Sequence, residues 1–151
     1  KIIIYGRERE KAFLFLAKKC YTKTKIAKSE GRNMQFRPCI DIHNGAVRQI
    51  VGGSLKDEGD QAITNFTSEY DARFYANLYR KDGIRGGHII LLNPSTSEYF
   101  DATKKQALEA LRAYPQGMQI GGGVTAENAK EYLDAGASHV IVTSYVFEME
   151  K

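Results

Sequence analysis

From residue 36 onward, short apolar runs alternate with stretches whose apolar residues recur every three or four positions. Strands bury alternate side chains and helices bury one stripe, so this alternation predicts βαβ units around a parallel sheet. The first run, FRPCIDI at 36–42, leads into Asn44-Gly45. Both turn residues tolerate φ > 0, which predicts a tight hairpin into a second extended piece at 47–51. A helix follows, with Ser68 as N-cap, Phe74, Tyr75, Leu78 and Tyr79 on one face and Gly83 at its end. HIILLN at 88–93 reads as a strand buried on both sides. Asp101 then opens a helix with a stripe of Ala107, Leu108, Leu111 and Tyr114, which Pro115 stops. A third strand, MQI at 118–120, runs into Gly121, Gly122 and Gly123. Thr125 caps a helix carrying Ala126, Ala129, Tyr132 and Leu133, Gly136 closes it, and SHVIVTS at 138–144 is the fourth strand. The expected fold class is therefore α/β, the first half of a (βα) TIM-type barrel. The length of 151 residues agrees, being well short of the roughly 250 of a complete barrel.

Composition changes this picture mainly at the N-terminus. The contents of 42% hydrophobic and 26% charged residues are those of a globular protein. The net charge of +4 suggests nucleic acid only until it is located: residues 1–33 hold ten Lys/Arg against three Asp/Glu, and residues 34–151 hold twelve against fifteen. A mildly acidic body does not attract phosphate backbones, so no nucleic-acid partner is expected. Residues 1–33 read as a basic extension foreign to the fold, disordered or helical, with Met34 starting the folded part. A targeting peptide is the alternative, although Glu8, Glu10, Glu30 and a single serine, Ser29, fit one poorly. Apolar runs at 2–5 and 12–17 are too short to span a bilayer of about 30 Å. Cys20 and Cys39 have neither disulfide-framework nor zinc spacing, which leaves a reducing cytoplasm as the expected location.

Candidate chemistry begins with Asp41, which alternation points opposite to Ile40 and Ile42. It is either a proton-transfer carboxylate at a barrel mouth or an acceptor for the Asn44-Gly45 turn. Gly121, Gly122 and Gly123, between a strand and a capped helix, let backbone amides approach an anion without Cβ interference, and the helix N-terminus adds partial positive charge. The plainer alternative is a tight turn, which needs one glycine rather than three. Thr143 and Ser144, at the end of the next strand, could bind the same phosphate through their hydroxyls or cap the next helix. His43, His88 and His139 lack metal-pair spacing, so no metal is expected. His139 reads as a core or rim residue, and Cys39, on the strand face of Asp41, as a small buried filler.

The segments FRPCIDIHNGAVRQIVGGSL (36–55), GGHIILLN (86–93), QIGGGV (119–124) and GASHVIVTSYVF (136–147) occur in this order. Together they closely resemble the phosphoribosylformimino-aminoimidazole carboxamide ribotide isomerases of histidine biosynthesis, in their eukaryotic-like variety, from about residue 36 to 147. The resemblance implies a cofactor-free Amadori rearrangement of an aminoaldose phosphate to an aminoketose. It implies that Asp41 is the general base, that Gly121, Gly122, Gly123, Thr143 and Ser144 form one of two phosphate loops, and that His88 lines the site. Leu91 departs from the family pattern, since many bacterial members carry aspartate there.

The sister cyclase subunit of imidazole glycerol phosphate synthase shares the Cys-x-Asp strand. It has lysine where Gln49 stands and usually aspartate where Leu91 stands, so both positions favour the isomerase. A non-catalytic phosphate-binding half-barrel is the reading from a different class. By the resemblance, the general acid on strand five and the second phosphate loop lie beyond Lys151. The 151-residue chain is therefore expected to lack turnover, and its open sheet edges to promote self-association.

Overall fold

The computed structural model describes residues 36–50 and 64–145. The chain divides into two units, Lys1–Pro38 and Cys39–Lys151, and only the second is considered below. The basic extension, the start at Met34 and the end of the second extended piece at Val51 lie outside the described residues.

Four parallel strands form the frame: β1 (Cys39–His43), β4 (Gly87–Leu91), β5 (Met118–Gly121) and β6 (His139–Ile141). Two antiparallel strands, β2 (Ala46–Ile50) and β3 (Thr64–Thr67), extend the sheet beside β1, giving the order β3-β2-β1-β4-β5-β6. The β1–β2 connection is the expected two-residue hairpin. Asn44 and Gly45 sit at φ 52° and 68°, and His43 pairs with Ala46. The strands begin and end at different residues from those expected. β1 starts at Cys39 rather than 36, β4 ends at Leu91 rather than 93, and β6 stops at Ile141 rather than 144. Thr143 and Ser144 therefore lie beyond their strand, with Ser144 already helical.

Helices α1 (Ala72–Lys81), α2 (Phe100–Ala113) and α3 (Ala126–Asp134) fill the crossovers. They cover one face of the sheet, where Ile40, Ile42, Ile89, Leu91, Met118 and Ile120 are all at most 3% exposed. Ala72, Tyr75, Ala76 and Tyr79 of α1 and Thr103, Ala107, Ala110 and Leu111 of α2 are buried, as is Tyr132 of α3. The expected stripes are shifted: Ala126 is exposed, as are the large side chains Phe74 and Leu133, 37% and 44%. Phe74 and Leu133 each lie one position from a buried tyrosine, Tyr75 or Tyr132, about 100° round the helix.

Asp71, not Ser68, caps α1, its carboxylate accepting from the Phe74 N–H at 2.7 Å. Ser68 still belongs to the β2–β3 ribbon, its own N–H donating to Val47 O, so the helix cannot begin there. α2 starts one residue before Asp101, which stands in the first turn where its charge suits the helix dipole. Gly83 and Gly136 end α1 and α3 as expected. At each, the residue after the glycine donates back to the third-last helical carbonyl: Ile84 N–H to Tyr79 O and Ala137 N–H to Tyr132 O. Among the described residues no helix is long and apolar enough to cross a membrane.

Candidate functional site

Covering one sheet face leaves the other open, and strand alternation decides what stands on it. The parallel register puts Asp41 level with Ile90, Gly121 and Ile141, and puts Cys39 level with His88, Gln119 and His139. Except for buried Gly121, these residues are half-buried or exposed. One strand, β4, separates Asp41 from Gly121, so two inter-strand spacings give a span of roughly 10 Å across the sheet. Asp41 and Gly121, the first of the glycine triplet, thus occupy the same face near the C-terminal ends of the strands. His88 shares that face but sits two residues lower, beside Cys39, about 6.6 Å towards the strand starts. His139 is exposed and Gln119 half-buried on this lower level; Gln119 had no sequence signal to single it out.

Asp41 is not the acceptor for the hairpin turn. The turn amides of Asn44 and Gly45 donate to Asn93 Oδ1 and Thr103 Oγ1, at 2.8 and 3.0 Å. Asp41 Oδ1 instead accepts from the Cys39 thiol, Sγ···Oδ1 2.6 Å. Cys39 is therefore not the fully buried filler expected; it is half-buried and hydrogen-bonded to the carboxylate. Burial pushes the thiol pKa well up, and the charge and hydrogen bond of Asp41 add to the effect, which favours the thiol over the nucleophilic thiolate.

Each member of the glycine triplet meets a different demand. A Cβ at Gly121 would lie 3.1 Å from both Ile90 Cδ1 and Ile141 Cβ, so its bare Cα lets those side chains close over the open face. Gly122, at φ 95°, packs on the β4 backbone so closely that a Cβ would fall 2.0 Å from Leu91 O. Gly123, at φ 66°, has nothing within 4 Å of its Cβ position. None of the N–H groups of Gly122, Gly123 and Val124 donates to a backbone carbonyl among the described residues. The α3 N-terminus beside them is fixed by Asn128, whose Oδ1 accepts from the Thr125 N–H and whose Nδ2 donates to Gly123 O. Thr143 and Ser144, both exposed, follow two and three residues after Ile141, the partner of Gly121. Tyr145 then reaches the first turn of α3, its hydroxyl donating to Glu127 at 3.5 Å. Among the described residues, no cluster of three His, Cys, Asp or Glu could hold a metal ion.

The sequence reading missed Asn93. Its side chain is 6% exposed and uses its full hydrogen-bonding capacity. Oδ1 accepts from Asn44 N–H and Thr103 Oγ1, and Nδ2 donates to Asn44 Oδ1 and Ser97 Oγ. Gln106 extends the set, donating to Gly45 O and accepting from the Ala72 N–H. A polar Thr103 on the apolar stripe of α2 was the available signal, because a buried hydroxyl needs a partner. Asn93→Asp replaces two donors by an acceptor and introduces a buried charge. It is expected to lower unfolding stability by about 2–3 kcal/mol in urea titration; a loss under about 0.5 kcal/mol would show that the network holds little.

Parallel strands joined through covering helices, with the carboxylate and the glycine-rich exit on one open face, define the first βα units of a TIM-type barrel. The chain belongs to the histidine biosynthesis protein family, whose model matches residues 35–151. Three relatives share the name 1-(5-phosphoribosyl)-5-((5-phosphoribosylamino)methylideneamino)imidazole-4-carboxamide isomerase. That of Medicago truncatula, called chloroplastic, is 53% identical over 119 residues, 76% of this chain and 36% of the relative. That of Neurospora crassa is 47% identical over 113 residues, covering 75% and 41%, and that of Saccharomyces cerevisiae 43% over 117 residues, covering 77% and 42%. The chain thus spans about two fifths of the length of these relatives.

Proposed function

We propose that this chain contributes the first half of an isomerase barrel converting an aminoaldose phosphate of the imidazole carboxamide ribotide type to the aminoketose. Asp41 takes the proton from the carbon next to the imine. The amides of Gly121, Gly122 and Gly123, with the Thr143 and Ser144 hydroxyls, bind one of the two terminal phosphates, and His88 lines the lower wall. The observation that carries this reading is the shared open face: the Asp41 carboxylate and the glycine-rich exit of β5 stand on one rung, roughly 10 Å apart. That spacing suits a ligand with its reacting carbon at one point and a phosphate at another. The isomerase names of the relatives support it over the cyclase alternative, as do Gln49 and Leu91.

No cofactor is required, because both proton transfers can be handled by side chains. Nucleic acid and membrane are not partners in this reading. The open face and the outer edge of β6 favour association of the half with itself or with its complement. The proposed compartment is the cytoplasm, in line with the unpaired Cys39 thiol.

The test is to titrate the isotope-labelled chain with ribose 5-phosphate and follow backbone amide resonances. Shifts concentrated at residues 121–124 and 143–144 are expected, with no turnover of the ribotide by the 151 residues alone. Resonances unmoved at millimolar ligand would remove the phosphate site, and turnover by the chain alone would remove the half-barrel reading.

A further inference from the structure

We propose that Cys39 is a positioning residue for Asp41: its thiol holds Oδ1 so that Oδ2 alone is presented to the substrate carbon. The inference rests on the isomerase reading for its chemistry but on independent geometry for the contact. The two residues are separated by one position on β1, so alternation puts both side chains on the open face. The hydrogen bond between them, Sγ to Oδ1, is the only hydrogen bond of either side chain among the described residues. The hairpin turn next to Asp41 is tied to Asn93 and Thr103, and so makes no claim on the carboxylate.

A carboxylate on a two-torsion side chain, standing on a half-open face, otherwise turns freely between rotamers. A donor that occupies one oxygen removes that freedom and aims the lone pairs of the other oxygen outward. The donor must never ionise, or it would repel the group that it orients. A half-buried thiol facing a carboxylate meets this requirement, since burial and the neighbouring charge both favour its protonated form. The thiol also lacks the strong acceptor character of a hydroxyl, so it offers no competing home for the transferred proton.

The contact and its role are tested separately. In the full chain with Cys20→Ser, which leaves Cys39 as the one thiol, the infrared S–H stretching band is measured with and without Asp41→Asn. A band displaced to higher wavenumber in Asp41→Asn is expected, because a neutral amide accepts more weakly than a carboxylate. A band that stays in place overturns the proposal. In the complete isomerase barrel, Cys39→Ala should lower kcat about 10- to 100-fold, the size of one hydrogen bond to a charged group, with KM nearly unchanged. Cys39→Ser, which keeps a donor, should recover most of that loss. An unchanged kcat in Cys39→Ala, or no recovery in Cys39→Ser, overturns the positioning role. Asp41→Asn in the same assay separates the two ideas: if it too retains full turnover, the isomerase reading falls and the positioning role with it, while the infrared displacement still records the bond.

Discussion

Asp41→Asn in the complete isomerase barrel is expected to lower kcat by about 10²- to 10⁴-fold, the usual contribution of a positioned proton-transfer group, with KM changed only a few-fold. The substitution is nearly isosteric. Its amide oxygen can still accept from the Cys39 thiol, and Asp41 carries no part of the hairpin network, whose amides go to Asn93 and Thr103. The fold should therefore survive, and the loss should appear in the chemical step rather than in binding. Steady-state conversion of the ribotide, with circular dichroism to confirm folding, measures it. Turnover within about three-fold of the parent would remove Asp41 from the reaction.

Gly122→Ala is the substitution expected to cost the fold most. The new methyl would lie 2.0 Å from Leu91 O and 2.8 Å from Leu91 N, in a backbone at φ 95° that side chains rarely adopt. The obstacle is the β4 backbone, held by its ladders to β1 and β5, so it cannot swing aside as the tip of a side chain would. Overpacking and left-handed strain together amount to about 4 kcal/mol. Gly123→Ala supplies the control next door: φ is 66° but nothing stands within 4 Å, so only about 1 kcal/mol of backbone strain is expected. Urea midpoints of the two variants decide the matter. Equal losses would mean that the contact with Leu91 is not what requires glycine at 122.

The parts of this fold legible in the sequence are those governed by local physics. Asn44-Gly45 demanded a hairpin, and Gly83 and Gly136 closed their helices, because positive φ is a property of a residue and its neighbours. Asp41 was assigned to the face opposite Ile40 and Ile42 by alternation alone. β3 was not legible, since TNFT has one apolar residue and becomes a strand only by pairing with β2. The Asn93 network joins positions 44, 93, 97 and 103, and no local pattern announces so distant a set of partners. The thiol–carboxylate bond was missed for a different reason: the shared face was evident, but small half-buried cysteines are ordinarily packing, and only the geometry makes this one a donor. The apolar pattern runs as far as Thr143 and Ser144 and so predicts a strand to that point, whereas β6 pairs only through Ile141.

The asparagine network also bears on how this protein ages. Spontaneous loss of an asparagine amide starts when the next residue's nitrogen attacks the side-chain carbonyl. Asn93 is followed by Pro94, whose ring nitrogen has no hydrogen to give up, so the hub of the network is closed to that route. Asn44 is followed by glycine, ordinarily the most vulnerable pairing, but here the Gly45 nitrogen is engaged with Thr103 and the Asn44 side chain is clasped by Asn93. The hairpin that would otherwise be the chemical weak point of the chain is thus guarded by the same bonds that give it shape.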